Sequence, residues 1–281
     1  MINNTIPSFL KILERNEIRL HDLNKYYDMH SEAFEEYFNF HCPKTEERLS
    51  SAIEKYPAKL EDIRIISETL PSIIQEVSKD YRIQFGINID LTFHIFVGGF
   101  GSNAFVEREI IGDIFFAVEK LSPVREHLRV IVAHEIGHIY HNFVLQESGM
   151  DWTNAEWTDA FVSLYREGVA IYLSKQIVKD LSESVYYSYN NDGDPWFQCY
   201  KESEKQIKKR FLQDYIEGWT AEKEKEWFRV SGGNYFGYNR LGYFLGASYM
   251  EYIVNTFGES EALTFWTKNN LKSSVMEWLQ K

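Results

Sequence analysis

Cysteine is nearly missing from this chain of 281 residues: Cys42 and Cys199 are its only two. They lie far apart in sequence and read as free thiols rather than as a bridge. A chain this long buries a core large enough to fold without disulfides or a structural metal, so a metal bound here is expected to serve chemistry rather than to staple the fold. Proline is scarce too, at 6 residues, and with 44% hydrophobic and 26% charged residues the composition excludes collagen-like and disordered classes for most of the length. No stretch approaches the ~18 apolar residues of a membrane span. The opening MINNTIPSFLKILERNEIRL has no basic segment leading into a long apolar run, and the expected location is cytoplasmic, without membrane contact. Positive charge is also short. Against 42 acidic residues stand 30 Lys and Arg, and the net charge of -12 argues against nucleic acid or an anionic membrane as a partner. The one basic cluster, KQIKKR at Lys205 to Arg210, is flanked by Glu202, Glu204 and Asp214 and reads as a solvated helix face.

What is abundant is aromatic and helical. Residues 7 to 80 carry apolar side chains at three- and four-residue spacings, among them Phe9, Leu10, Ile12 and Leu13, then Ile63, Ile66, Leu70, Ile73, Ile74 and Val77. From Tyr81 the period changes. LTFHIFVGG (Leu91 to Gly99), NAFVE (Asn103 to Glu107) and IIGDIFFAVE (Ile110 to Glu119) predict three or four short strands in a small antiparallel sheet. Helix resumes at Ser122 as N-cap with Pro123 at the first helical position and runs to about Phe143. A further helix is expected to open with a capping box formed by Thr153 and Glu156. Ser188 to Pro195 reads as a loop, and the glycine-rich Ser231 to Gly237 interrupts the helical remainder. The expected organisation is an α+β, mostly helical chain with an N-terminal helical region at 1–80, a core at 81–185 and a helical C-terminal lobe at 186–281.

The chemistry concentrates at HEIGH, residues 134 to 138. On a helix, positions i and i+4 share one face, so His134 and His138 can direct imidazole nitrogens at one zinc ion. Glu135 is angled beside that face, where its carboxylate can take a proton from a metal-activated water and pass it to a leaving group. The preceding Val130 to Ala133 makes this a buried helix, in which two histidines and a glutamate need partners to offset their desolvation. A catalytic zinc needs a third protein ligand. The three-histidine continuation is absent, because the positions that would carry its glycine and histidine are His141 and Val144. Glu167, in REGVAIYL, is the preferred carboxylate, since Glu156 is taken by its expected cap and Glu147 and Asp151 fall in a loop. It shares a helical stripe with the small residues Ala160, Ser163, Ala170 and Ser174, which would let two helices pack closely. Asp159 is either a partner for a zinc histidine or an exposed acid in the second turn of its helix. His141 is either such a partner or the surface end of its helix.

HEIGH followed by EGVAIYL resembles the gluzincin zinc peptidases, in which His-Glu-x-x-His is followed downstream by a glutamate ligand, often in a Glu-Gly-small-Ala run. More narrowly the chain resembles bacterial Zn-dependent proteases of unknown function, with strands before the motif and an Arg-x-Gly-Tyr-x-x-Gly segment late in the chain, here RLGYFLG from Arg240 to Gly246. The resemblance covers roughly residues 90 to 255. It implies a zincin-like core whose cleft the C-terminal lobe closes, Zn2+ held by His134, His138 and Glu167, and Glu135 as base. It also implies a Tyr, His or Arg that stabilises the oxyanion, for which Tyr243 is the first candidate and Tyr238 and Arg240 the next. By the same likeness an edge strand pairs with the backbone of a peptide or protein substrate, and NAFVE is the strand of choice. The expected function is a zinc metallopeptidase. The rival readings are a zinc hydrolase of a non-peptide amide and a catalytically inert helical binding or regulatory protein.

Overall fold

The computed structural model describes residues 1–13, 18–86, 88–268 and 270–281, with the side chain of residue 268 also left aside. The chain forms two compact units, Met1–Glu135 and Ile136–Lys281, and the division falls inside one helix.

The first unit begins with a strand, β1 (Ile2–Asn4), and the helices α1 (Ile6–Leu13), α2 (Leu20–Met29), α3 (Ser31–Glu36) and α4 (Glu46–Phe85), with a π-helical turn at Tyr37–His41 before α4. The expected helical opening is largely present, and its part at 14–17 lies outside the described residues. α4 has 40 residues. Its start is capped by the Thr45 hydroxyl, which accepts from the Arg48 amide, and Gly86 ends it in the left-handed conformation, φ 71°, where glycine carries no steric penalty. Three strands follow, β2 (Phe93–Phe96), β3 (Ala104–Val106) and β4 (Ile114–Ala117).

The fold is α+β and mostly helical, but the sheet is mixed rather than antiparallel throughout. Its order is β1-β2-β4-β3, with β1 and β4 both parallel to β2 and only β3 antiparallel to β4. Every residue of β2 and β4 is buried, as expected of inner strands covered on both faces. β1 is three residues long and two of them are asparagine, which is why periodicity does not reveal it.

The glycine-rich turn leaving β2 is held from beneath. The Tyr37 hydroxyl accepts from the amides of Gly99 and Gly101, and the buried Glu119 carboxylate accepts from those of Gly98 and Phe100, all at 2.8 to 2.9 Å. Tyr56 donates to the Gly98 carbonyl at 2.7 Å. Burial pushes the Glu119 carboxyl above its ordinary range, although the two amides oppose this.

α5 (Arg125–Glu147) is the helix that contains the division between the units. It begins later than Ser122, whose hydroxyl instead lies 2.8 Å from His127 Nδ1. In the first unit α4 holds it in place. The Tyr81 hydroxyl donates to the Ala133 carbonyl at 2.7 Å, Arg129 meets Asp80 at 2.8 Å and Glu76 at 3.5 Å, and Arg125 also pairs with Glu76. The exposed ion pairs are worth little individually. The buried tyrosine bond fixes the backbone one residue before His134.

The second unit is helical: α6 (Ala160–Ile177), α7 (Val185–Ser188), α8 (Asp194–Ile216), α9 (Ala221–Phe228), α10 (Leu241–Phe257), α11 (Glu259–Leu263) and α12 (Leu271–Leu279). α10 packs most extensively on α6. The KQIKKR cluster lies in α8, where Lys208 pairs with Glu204 at 2.9 Å and covers the Trp278 ring at 4.1 Å, while Arg210 meets the buried Asp214 at 2.9 Å. No helix among the described residues is long and apolar enough to cross a membrane.

Candidate metal centre

His134 and His138 share one face of α5, and Glu167 stands in the third turn of α6. One nitrogen of each histidine and one carboxylate oxygen of Glu167 all lie within 4.8 Å of one another. His138 Nε2 is 3.7 Å from Glu167 Oε2. Tetrahedral zinc ligands at ~2.0–2.2 Å from the metal are roughly 3.4 Å apart. The observed trio is such a set slightly opened, and two imidazoles with one carboxylate are donors that suit zinc. Glu135, beside His134, is 7% exposed, so its carboxylate has limited access to bulk water.

The glycine that follows Glu167 lies at a close helix crossing. A Cβ built on Gly168 would lie 2.1 Å from the Gly246 carbonyl oxygen, and one on Gly246 would lie 2.3 Å from that of Leu164. Only two glycines let α6 and α10 cross with their backbones in contact. The small-residue stripe through Ala170 and Ser174 is therefore not where the closest approach occurs. Gly242, the other glycine of RLGYFLG, lies under the Phe228 ring. Gly168→Ala must push the two backbones apart. The expected cost is about 3 kcal/mol, the upper end for overpacking, which lowers the thermal midpoint by roughly 10 °C in a melt followed by circular dichroism.

Several residues take other roles than those expected. Asp159 is the N-cap of α6: its Oδ1 accepts from the amides of Phe161 and Val162, and its Oδ2 is met by Tyr215 and by Lys272 at 2.9 Å. The Thr153–Glu156 capping box does not form. Thr153 sits in a short turn capped by Asp151, α6 starts at Ala160, and Glu156 pairs with Lys272 at 2.5 Å. An aspartate adjacent to the first helical residue takes the capping position, and the earlier threonine is left out of the helix.

His141 is neither at the surface nor spare. It is 1% exposed, with Nε2 3.3 Å from the Tyr165 hydroxyl and 3.2 Å from the Leu263 carbonyl. Burial, aided by the charges of Arg166 and His138, lowers its pKa from 6.5 to about 3. It is thus neutral when folded and takes a proton more readily when unfolded. The stability it contributes is complete above pH 6.5 and is lost as pH falls from there toward about 3. Between pH 6.5 and 4 the loss amounts to roughly 3 kcal/mol. Urea unfolding over this range should show that slope in the wild type and a shallower one in His141→Gln.

Tyr243 lies in the first turn of α10, partly exposed, its ring 6.3 Å from that of Phe228 and 5.3 Å from the Arg240 guanidinium. Arg240 is engaged elsewhere: it donates to the Tyr187 carbonyl at 3.2 Å and lies 4.9 Å from the Trp196 ring centroid. Tyr238 is partly exposed in the loop before α10. Sequence reasoning did not single out Glu224 of α9, whose carboxyl is raised by burial and further by the charge of Glu167. Nor did it single out Arg166, which only an arginine inside an otherwise apolar helical stretch could have signalled.

Comparison with known proteins adds one finding. The model of the family described as "Putative zinc dependent peptidase (DUF5700)" matches residues 11–272. No curated protein and no solved structure matches the chain.

Proposed function

The chain belongs to the DUF5700 family, and on that premise we propose that it is a zinc metallopeptidase of the gluzincin arrangement, with His134, His138 and Glu167 as the metal ligands. The observation that carries the reading is the convergence of two imidazoles from one helix and a carboxylate from another, with an additional glutamate beside the first histidine. Bound there, zinc supplies a Lewis acid for the scissile carbonyl and acidifies a water.

The remaining work belongs to side chains of the protein. Glu135 accepts the proton of the attacking water at its carboxylate and delivers it to the departing amine. Limited solvent access keeps that proton from exchanging with bulk water. Tyr243 donates a hydrogen bond from its hydroxyl to the oxyanion. Its position supports this, since it precedes Gly246 by three residues and so lies one turn along the same side of α10 that meets Gly168, the neighbour of Glu167. β3, at one edge of the sheet, offers its outer backbone groups to an extended peptide.

The test is zinc stoichiometry by elemental analysis together with cleavage of a mixed peptide library. About one zinc per chain with cleavage supports the reading. Zinc without cleavage of any peptide favours the inert binding protein, and cleavage restricted to non-peptide amides favours the other hydrolase.

A further inference from the structure

Beside Glu167, α6 carries an arginine that the chemistry above does not use. Arg166 is mostly buried, yet among the described residues it donates no hydrogen bond and makes no ion pair, and its Nε is enclosed without an acceptor. The chain has 42 acidic residues, and Arg125, Arg129 and Arg210 each meet a carboxylate. Arg166 feels the charge of the neighbouring Glu167 but makes no ion pair with it, which is out of keeping with that supply and with the general cost of a poorly matched buried charge.

What Arg166 has instead is tryptophan. Its guanidinium carbon is 4.8 Å from the centroid of the Trp157 ring, within the range of a cation–π contact. Trp157 stacks on Trp152 with centroids 5.2 Å apart and planes at 8°, and Trp266 meets both edge-on. Trp152 Nε1 is a second enclosed donor without an acceptor. Trp152 and Trp157 are both partly exposed. Two unmatched N–H groups, from α6 and from the turn that precedes it, are thus held against one indole that a ligand can reach. Donors without acceptors call for a ligand rich in acceptors, and a carboxylate matches the planar fork of a guanidinium. The place also suits a substrate. Arg166 follows the chain of α6 directly into Glu167, its charge is felt by His141 one turn beyond His138, and helical side chains lean toward the N-terminus, here toward Trp157.

We propose that Arg166, set against Trp157 and Trp152, binds a carboxylate of the peptide substrate and thereby determines specificity. This rests on the reading of the centre as a peptidase. The carboxylate is either the C-terminus of the peptide or an Asp or Glu side chain.

The experiment uses four N-acetylated tripeptides, with free-acid or amidated C-termini, each with or without one Glu side chain. Binding is followed by tryptophan fluorescence in the zinc-loaded Glu135→Gln protein, with Trp157→Phe identifying the responding ring, and kcat and KM are measured in the wild type, Arg166→Met and Arg166→Lys. The expected result is that a carboxylate strengthens binding by about 10- to 100-fold, and that Arg166→Met removes this advantage by raising KM with kcat little changed. Preference for the free terminus or for the Glu side chain identifies the source. Equal binding of all four peptides with Arg166 in place overturns the proposal, whether or not the variants fold. If peptides are cleaved without such discrimination, this inference fails and the peptidase reading stands. Discrimination in binding without cleavage by the wild type leaves the carboxylate site standing and sinks the peptidase reading.

Discussion

Glu135→Gln should reduce kcat/KM for peptide cleavage by at least about 10³-fold while the zinc content stays near one per chain, since a positioned general base contributes ~10²–10⁴. Glutamine has nearly the volume of glutamate, so a side chain only 7% exposed keeps its packing on α5. What changes is that an amide cannot take up a proton at neutral pH. His134, His138 and Glu167 are untouched, so the metal should remain, which separates a lost base from a lost ligand. Mass-spectrometric analysis of library cleavage, alongside elemental analysis of the same preparations, measures both. Full zinc with undiminished cleavage would remove Glu135 from the mechanism. Lost zinc would mean that the substitution had disturbed the ligands, and Glu135→Asp would then test whether a carboxylate at shorter reach restores any turnover.

How much of this was legible depended on whether the signal was local. The helix carrying HEIGH was readable because a histidine repeat at i and i+4 inside an apolar run describes a buried helical face without reference to anything distant. Three of the four strands were readable for the same reason. Their directions were not: β1 pairs in parallel with β2 about ninety residues away, and β4 lies between β2 and β3, an order that no short-range pattern encodes. Asp159 was read as a partner for a zinc histidine or an exposed acid, and its role as the cap of α6, six residues beyond the expected threonine, shows only in the structure. The pairing of Gly168 with Gly246 was half visible. Each glycine marks a place where something approaches closely, but which element approaches is a tertiary fact. The part played by α4 was not visible at all, because a hydrogen bond from Tyr81 to a helix carbonyl leaves no trace in composition or period.

Glu167→Ala should weaken zinc binding by at least about 100-fold, more than the ~10–100-fold lost when a residue supporting a ligand is removed. The two imidazoles come from a single helix and would occupy only two of the positions around a bound zinc. The third protein position would come from α6, whose Gly168 lies at its close crossing with α10 beside Glu167, and Glu167 stands 3.7 Å from His138. Removing the carboxylate leaves that crossing intact, so the fold should persist in circular dichroism while chelator competition shows the lost affinity. Because zinc stabilises only the folded chain in proportion to its occupancy, the rise in thermal midpoint on adding zinc should shrink in the variant as well. Unchanged affinity would show that another carboxylate serves as ligand. Glu224 is then the residue to test, since it is close enough for the charge of Glu167 to raise its pKa and is already partly occupied by the Trp219 indole at 3.3 Å and Arg229 at 3.7 Å. Those two partners argue that Glu224 stays where it is, and that the affinity lost with Glu167 is not recovered by its neighbour.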